Sequence, residues 1–321
     1  MKYWIFGAGK YGKKCHEIYH DQLDFCGFID NDDSKDQTCL GDVRIVCYEN
    51  FKNIFDKEEE RIIIASDYFA EMYTQLMNDG YEDYVEKVYR EISGLSSFES
   101  CWNIGINSSC GEELWLKDYF GEHCPKGYKG VYVDVGAFHP FYASNSRWAY
   151  DAGWRGVNID ANADSIKMFE KFRPEDKNIN CGVSDETGEL EFYIYNGLEM
   201  CTFDKDLFKD RLRLREVRTV PVKTINEILE EHHIHDIDFL DIDVEGLDEK
   251  IVLSFDWKKY KPRCVLVEIL NKNSIEEILE TNIHKKMKAE GYHLTNYAIM
   301  TAMYVRGEKD AAESQCHYSS I

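Results

Sequence analysis

The chain of 321 residues is predicted to be an α/β protein with two Rossmann-like domains, because strand, turn and helix signals alternate in both halves. In the first half, the predicted strand Lys2–Phe6 leads into the segment GAGKYG (7–12), which matches the glycine fingerprint of dinucleotide-binding turns. In the second half, the strand segments VYVDVGAFHP (131–140) and GVNIDAN (156–162) each contain an aspartate where the run of β-formers stops. Their spacing is that of one strand, helix, strand unit.

Composition supports two folded domains and argues against nucleic acid as a partner. Hydrophobic residues make up 44% of the chain, which is enough to form two cores. The 60 acidic residues against 38 Lys and Arg leave a formal charge of −22, so a phosphate backbone would be repelled. The 11 cysteines are odd in number and scattered, which is typical of reduced thiols. The first residues lack the apolar run of a signal peptide or membrane span, so we expect a cytoplasmic protein.

Clusters of serine, glycine and asparagine mark the predicted domain boundaries. We expect a small Rossmann-like nucleotide-binding or assembly domain over residues 1–95, followed by a linker with a short helix over residues 96–128. A second α/β domain is predicted over residues 129–307, and a polar tail over residues 308–321.

A tentative nucleotide site is predicted in the first domain, from Gly7, Gly9 and Gly12 together with Asp30 at the end of the second strand. In this pattern the glycines bring backbone N–H groups to a phosphate, and the acid binds the ribose diol. The unit resembles the sugar-nucleotide-binding half of bacterial sugar acetyltransferases. Three interpretations stay open: it binds NAD, it binds a nucleotide or nucleotide-sugar, or its glycines serve packing alone.

Acidic residues end four predicted strands of the second domain. Asp134 and Asp160 lie where open α/β folds bind a ribose, which predicts a ribose-bearing cofactor, although Asp160 would equally suit a helix N-cap. Two further segments, DFLDIDVEGL (238–247) and CVLVEIL (264–270), contribute Asp243, Glu245 and Glu268. Buried carboxylates are costly unless they bind something, so these three would orient a hydroxyl, act as a base or hold a cation such as Mg²⁺.

Seven collinear segments over residues 109–306 resemble the FkbM-type S-adenosylmethionine-dependent methyltransferases. They are CGEELWL, VYVDVGAFHP, SNSRWAYDAGWRGVNIDAN, INCGVSDETGELEFY, VPVKTINEIL, DFLDIDVEGLD and KPRCVLVEI. The resemblance implies a class I methyltransferase fold, with a mostly parallel seven-stranded sheet and an antiparallel last hairpin. It also implies O-methylation of a sugar or another small metabolite. At Asp241 many members carry lysine or serine, which puts the charge of the pocket in question.

The resemblance assigns cofactor contacts by position. The first-strand loop would hold the methionine moiety, the end of the second strand the ribose, and the third segment the adenine. The implied cofactor residues are Asp134, Gly136, Ala137, Asp160, Ala161, Gly182, Val183, Ser184 and Asp241. For the glycines, turn geometry alone is the competing interpretation.

Proton removal from the acceptor is assigned to His139 or to Asp243, with Glu245 as a further catalytic carboxylate. The acceptor contacts are expected from Ser144, Asn145, Arg147 and Glu268. The function predicted is S-adenosylmethionine-dependent O-methylation of a hydroxyl on a sugar or nucleotide-sugar, in bacterial surface polysaccharide synthesis. The rivals are an NAD-dependent oxidoreductase using GAGKYG and a non-catalytic nucleotide-sugar-binding scaffold. Homo-oligomerisation stays open.

Overall fold

The computed structural model describes residues 1–66, 68–86, 107–195, 201–209, 212–272 and 274–307. The chain divides into two compact units, Met1–Ile106 and Asn107–Ile321. The predicted polar tail, 308–321, and residues 96–106 of the predicted linker lie outside the described residues. Within the described ranges, no helix combines the length and apolar character that crossing a membrane requires.

The first unit is a small Rossmann-like sheet with three helices among its described residues. Its elements are β1 Lys2–Phe6, α1 Lys10–Tyr19, β2 Asp24–Asp30, β3 Cys39–Leu40, β4 Val43–Cys47, α2 Tyr48–Ile54, β5 Glu60–Ile64, α3 Phe69–Asn78 and β6 Val85–Glu86. The strand order is β3-β4-β2-β1-β5-β6, and every pairing except that of β3 with β4 is parallel. The glycine segment therefore lies at the carboxyl end of a central strand, as the fingerprint predicts.

The second unit is built around a seven-stranded sheet and a smaller four-stranded one. Its helices are α4 Glu112–His123, α5 Arg147–Asp151, α6 Ala163–Phe172, α7 Ile225–Glu231, α8 Asp248–Ser254, α9 Ile275–Leu279 and α10 Asn282–Ala289. Its strands are β7 Val131–Val135, β8 Arg155–Asp160, β9 Lys177–Asn180, β10 Gly182–Ser184, β11 Gly188–Tyr195, β12 Cys201–Thr202, β13 Leu214–Thr224, β14 Phe239–Ile242, β15 Cys264–Glu268, β16 Tyr292–Ala298 and β17 Thr301–Arg306.

The large sheet has the strand order β16-β17-β15-β14-β7-β8-β9. Only β17 runs against its neighbours, so the sheet is mostly parallel and ends in the antiparallel hairpin β16–β17. This arrangement confirms the predicted class I methyltransferase fold. The carboxyl ends of β7, β8 and β14 meet where the chain order reverses, which is the usual ligand crevice of such sheets.

Strands β11 and β13, which contain Leu190 and Val220, belong to the separate four-stranded sheet. Its order is β10-β13-β11-β12, with β11 and β13 paired antiparallel along most of their length. The segment 182–184 continues directly from β9 into this sheet, so the third predicted cofactor segment is held between the two sheets.

Alternate residues of the large sheet face two different cores. One face, with Val133, Leu240 and Val265, packs into a large aliphatic core. The opposite face, with Tyr132 and Phe239, packs against an aromatic cluster that includes Leu116 and Phe120 of α4. The helix predicted within the linker is thus part of the second unit. Because side chains alternate along a strand, the acids that follow on this second face at the carboxyl edge are Asp134, Asp241, Asp243 and Glu268.

Candidate active site

The loop after β7 is held tightly between its two neighbouring strands. Gly136 has φ +81°, and its N–H donates to the carbonyl oxygen of Ile159 at 2.9 Å. The N–H of Ala137 donates to the same oxygen at 3.1 Å. A Cβ atom on Gly136 would lie 1.7 Å from the carbonyl oxygen of Asp243, so only glycine fits here. Turn geometry therefore explains Gly136 without requiring a ligand.

Asp160 fixes this loop through its side chain. Its Oδ2 accepts from the N–H of Phe138 at 2.8 Å, and its Oδ1 accepts from the N–H of Asn162 at 2.6 Å. Burial, with a smaller contribution from Asp134, raises the pKa of Asp160 to about 6, although the two backbone bonds oppose the shift. The N-cap of α6 is Asn162, whose side chain accepts from the N–H of Asp164, so Asp160 is not the cap.

Asp134 and Asp241 are opposite each other on the paired strands β7 and β14, and both are buried. Ser146 Oγ donates to Asp134 Oδ2 at 2.5 Å. Asn145 hydrogen-bonds to Asp241, but Asp241 Oδ1 has no hydrogen-bond partner among the described residues. Burial raises the pKa of Asp134, and burial followed by the nearby Asp134 charge raises the pKa of Asp241 well above its usual range. The pocket is therefore suited to a cationic group.

A fully buried arginine holds the segment between β7 and α5. Arg173 Nη1 donates to Ser146 Oγ at 2.8 Å, and its Nη2 donates to Ser144 Oγ at 2.9 Å and to the carbonyl oxygen of Pro140. Through Ser146 the guanidinium is linked to Asp134. The role of Arg173 was not predicted from the sequence, since an arginine just after a helix is normally exposed. Ser144 is 2% exposed in this network, and its predicted contact with the acceptor stays a prediction.

His139 lies inside the same loop and is 4% exposed. Its Nδ1 accepts from the N–H groups of Phe141 at 3.1 Å and Tyr142 at 3.0 Å. Burial, followed by the charges of Arg173 and Arg147, lowers the pKa of His139 to about 3. A neutral imidazole that accepts two backbone hydrogen bonds stabilises the turn and is a weak base at neutral pH.

Arg147 and Asn145, which the sequence predicts to contact the acceptor, differ in exposure. Arg147 is half-buried, donates to Asp151 Oδ2 at 2.6 Å and lies 4.1 Å above the ring of Phe141. Asn145 is buried beside Asp241, as described above, and its Oδ1 has no partner in the described part of the chain. Both positions border the loop that carries His139.

Three carboxylates meet at the carboxyl ends of β14 and β15. One oxygen from each of Asp243, Glu245 and Glu268 lies within 4.8 Å of the others. Glu268 is 2% exposed, and its Oε2 has no hydrogen-bond partner among the described residues. Burial and the carboxylates of Asp248 and Glu112 raise the pKa of Asp243 to about 8. The sequence predicted these three residues to act together, and the structure brings them together.

The loop that follows Asp243 is held by Asp248, a residue whose role was not predicted from the sequence. Asp248 accepts from the N–H of Val244 at 3.0 Å and from the N–H of Gly246 at 2.9 Å. Glu245, between them, has φ +54°, and its carbonyl oxygen accepts from Thr202 Oγ1 at 2.5 Å. Asp248 therefore fixes the backbone on both sides of Glu245, which lies three positions before it in the DVEGLD motif.

The segment predicted to contact adenine, residues 182–184, is buried. Val183 is 2% exposed and belongs to the aliphatic core, while Ser184 Oγ donates to Asp185 at 3.0 Å. A Cβ atom on Gly182 would lie 2.6 Å from the ring of Phe203, so this glycine is needed for packing. Ala161 is half-buried, and its carbonyl oxygen accepts from the side chain of Asn180. Contact of these residues with adenine stays a prediction.

The predicted nucleotide site of the first unit has the same backbone pattern as the loop after β7. The N–H of Ala8 donates to Asp30 Oδ2 at 3.1 Å, and the N–H of Asp32 donates to Asp30 Oδ1 at 2.9 Å. Lys35 also forms an ion pair with Asp30 at 2.8 Å. These bonds give Asp30 a structural role whether or not a ligand binds.

The three predicted glycines of the first unit differ in how closely they pack. A Cβ atom on Gly12 would lie 1.8 Å from the carbonyl oxygen of Gly7, so α1 lies directly against the turn. A Cβ atom on Gly9 would meet no atom of the described residues within 4 Å. A Cβ atom on Gly7 would lie 2.6 Å from the carbonyl oxygen of Ala65. Packing therefore accounts for Gly7 and Gly12, and a ligand of this unit stays a prediction.

The sheet order and the acid-lined crevice are those of a class I methyltransferase. Residues 134–294 match the family model of the methyltransferase FkbM domain. The chain therefore belongs to the FkbM methyltransferase family. It is also similar to a crystal structure of methyltransferase FkbM from Methylobacillus flagellatus KT, at 11% identity and a TM-score of 0.32, over 95% of this chain and 89% of that one. No curated protein matches the chain.

Proposed function

We propose that this methyltransferase uses S-adenosylmethionine to methylate a hydroxyl of a sugar, nucleotide-sugar or related small metabolite. The observation that carries the proposal is the position of Asp160, whose carboxylate joins the loop after β7 to the end of β8. In an open parallel sheet, an acid at this place binds a ribose diol. The family supports methyl transfer, and the site chemistry supports the cofactor.

The residues of the crevice fit this cofactor in donor type and in charge. Each oxygen of Asp160 accepts one backbone N–H, which leaves lone pairs for two ribose hydroxyls. The buried carboxylates of Asp134 and Asp241 favour a cationic ligand, and Asp241 Oδ1 lacks a partner within the described ranges. S-adenosylmethionine, when bound, supplies an activated methyl group on a sulfonium and carries an ammonium group.

Asp243 is the residue that we assign to removal of the acceptor proton. It directly follows β14 beside the loop of Gly136, it is half-buried, and its carboxylate faces the same crevice as Glu268. His139 is less suited, because its Nδ1 already accepts two backbone N–H groups. Carboxylates also accept hydrogen bonds from several hydroxyls at once, which suits a sugar. Bacterial surface polysaccharide synthesis is the setting that we propose.

Calorimetric titration with S-adenosylhomocysteine tests the cofactor. We expect binding to the full chain, and loss of binding in Asp160→Ala with the circular dichroism spectrum retained. Asp164→Ala is the matched control, since Asp164 is exposed in the first turn of α6 and its carboxylate pairs with Lys167 on the same helix. Equal affinity of the wild type and Asp160→Ala would contradict the ribose role. Binding of NAD alone would favour an oxidoreductase instead.

The acceptor is tested by incubating the enzyme and S-adenosylmethionine with uridine- and guanosine-diphosphate sugars, followed by mass spectrometry. We expect one added methyl group on a sugar hydroxyl, and none with Asp243→Asn. A chain that binds S-adenosylhomocysteine but methylates no sugar would contradict the acceptor class while leaving the cofactor in place.

A further inference from the structure

We propose that Asp243, Glu245 and Glu268 bind one hard divalent cation, such as Mg²⁺ or Mn²⁺. The role of this ion in binding the acceptor hydroxyl rests on the function proposed above. The binding of the ion itself does not, because it depends only on the three carboxylates.

The separation of the three oxygens fits one shared ion. Two oxygens bound to the same ion at about 2.0–2.6 Å lie no more than about 5 Å apart. The three carboxylate oxygens are all within 4.8 Å of one another, so small side-chain movements bring them into one coordination sphere. Carboxylate oxygens are the ligands that Mg²⁺, Mn²⁺ and Ca²⁺ prefer in proteins.

Glu268 supplies a second, independent observation. It is 2% exposed, and its Oε2 has no hydrogen-bond partner among the residues that the structure describes. Its strand neighbour Thr301 does not serve it, because Thr301 Oγ1 donates to Glu112 instead. A buried carboxylate oxygen without a donor is costly, so the site is completed by a cationic ligand.

The four largest effects of neighbouring charges on Glu268 have the same sign. They come from Asp243, Glu245, Asp248 and Asp241, and no lysine or arginine of the described ranges is among them. The four neighbouring acids repel one another in a region of low dielectric, where the repulsion is stronger than in water. A divalent cation removes this repulsion, whereas a single neutral hydrogen-bond donor does not.

The loop geometry holds the ligands in place before any ion binds. Asp248 accepts the N–H groups of Val244 and Gly246, on either side of Glu245. Thr202 fixes the carbonyl oxygen of Glu245 from the neighbouring small sheet. Three protein ligands leave coordination positions of an octahedral ion for water or for the acceptor oxygen.

Such an ion would bind the acceptor oxygen and lower the pKa of its hydroxyl, while Asp243 would hold the ion through one carboxylate oxygen and take the acceptor proton on the other. A sugar diol would bind through two oxygens, which also orients the hydroxyl to be methylated. We therefore expect the acceptor to carry a second oxygen next to the hydroxyl that is methylated.

Manganese binding to the full chain, measured by the electron paramagnetic resonance signal of free Mn²⁺, tests the site directly. We expect one Mn²⁺ per wild-type chain, and affinity at least about tenfold weaker in Glu268→Gln. Glu276→Gln is the matched control: it makes the same chemical change on the exposed surface of α9 and is expected to bind like the wild type. Absence of stoichiometric binding to the wild type, or equal binding by Glu268→Gln, would overturn the proposal.

A second measurement keeps the test valid if a variant folds poorly. Mn²⁺ should raise the melting temperature of the wild type and of Glu276→Gln, but not that of Glu268→Gln or Glu245→Gln. Glu245 is half-buried, so its replacement carries less risk for folding. An equal rise in all four proteins would refute the site.

The outcomes also separate this proposal from the proposed function. If S-adenosylhomocysteine binds and Mn²⁺ does not, the metal site is wrong and the carboxylates instead serve the cationic cofactor. If Mn²⁺ binds through Glu268 while S-adenosylhomocysteine does not bind, the metal site stands and the proposed cofactor is wrong.

Discussion

The α-carbon of Gly136 and the carbonyl oxygen of Asp243 are so close that a Cβ atom on the glycine would lie 1.7 Å from that oxygen. This contact joins two segments that are separated by more than one hundred residues in sequence. It places the loop proposed to bind the cofactor directly against the start of the acid cluster. The two segments are also joined by a backbone hydrogen bond, which the N–H of Asp243 donates to the carbonyl oxygen of Val135 at 3.0 Å.

Replacing Gly136 with alanine should destabilise the second unit by about 2–5 kcal/mol, because the left-handed conformation and the overlap both oppose a Cβ atom. Gly121→Ala is the control. Gly121 is exposed within α4, and its Cβ would meet no described atom within 4 Å, so the change should add about 0.5–1 kcal/mol of stability. Urea unfolding followed by circular dichroism measures both. Wild-type stability of Gly136→Ala would show that the loop is looser than described.

The affinity for S-adenosylhomocysteine should depend on pH through Asp160. Its pKa is raised to about 6, so the carboxylate is fully formed above that pH and becomes protonated below it. A ribose bound through the carboxylate is therefore held most tightly above pH 7, and affinity should fall by up to about tenfold per pH unit below 6. Calorimetry between pH 5 and 8 measures the affinity on both sides of the Asp160 pKa. Asp160→Asn should bind more weakly with a flat profile over the same range; a parallel decline in both proteins would assign the effect to another group.

The free energy of unfolding should decrease in mild acid because His139 is buried in its neutral form. The pKa of this residue is lowered to about 3 in the folded chain, whereas an unfolded histidine titrates near 6.5. The unfolded state therefore binds more protons in this interval, so stability is complete above about pH 6.5 and is lost as the pH falls towards 3. At pH 5 the loss from this residue is about 2 kcal/mol.

His139→Asn provides the comparison, because an asparagine oxygen accepts the N–H two residues later and does not titrate. Urea unfolding at pH 7 and pH 5 should show a smaller decline for this variant than for the wild type. If both proteins lose the same stability, His139 is not the buried neutral group that its contacts indicate.

The buried Arg173 should be essential for folding of the segment before α5. Arg173→Ala leaves the hydroxyl groups of Ser144 and Ser146 and the carboxyl of Asp134 without their cation, so we expect a loss of about 3–5 kcal/mol. Lys171→Ala, on the exposed surface of α6 two residues before Arg173, should change stability by no more than about 0.5 kcal/mol. Thermal and urea unfolding measure both. Similar losses of stability in the two variants would mean that the buried Arg173 stabilises the fold no more than the exposed Lys171 does.

The fold followed from the sequence because its parallel strands are buried on both faces. Such strands are continuous runs of Val, Ile, Leu and Tyr, as in VYVDV and CVLVE, and each ends at an acid or a glycine. The class and order of the sheet came from seven collinear segments rather than from any single motif, and the observed strand order confirms them. The four-stranded sheet was not expected, because strand pairing across a long insertion depends on register rather than on local composition.

The amino-acid sequence determined which residues end each strand, and thereby which acids can reach the crevice: Asp134, Asp160, Asp243 and Glu268. Tertiary structure alone decided how they are used. It buried Arg173 and linked it to Asp134 through Ser146, directed the Nδ1 of His139 to two backbone N–H groups, and brought Glu245 and Glu268 together. The physical reason is that strand ends are set by local preference, whereas the partners of a polar side chain are set by packing between segments that are far apart in the chain.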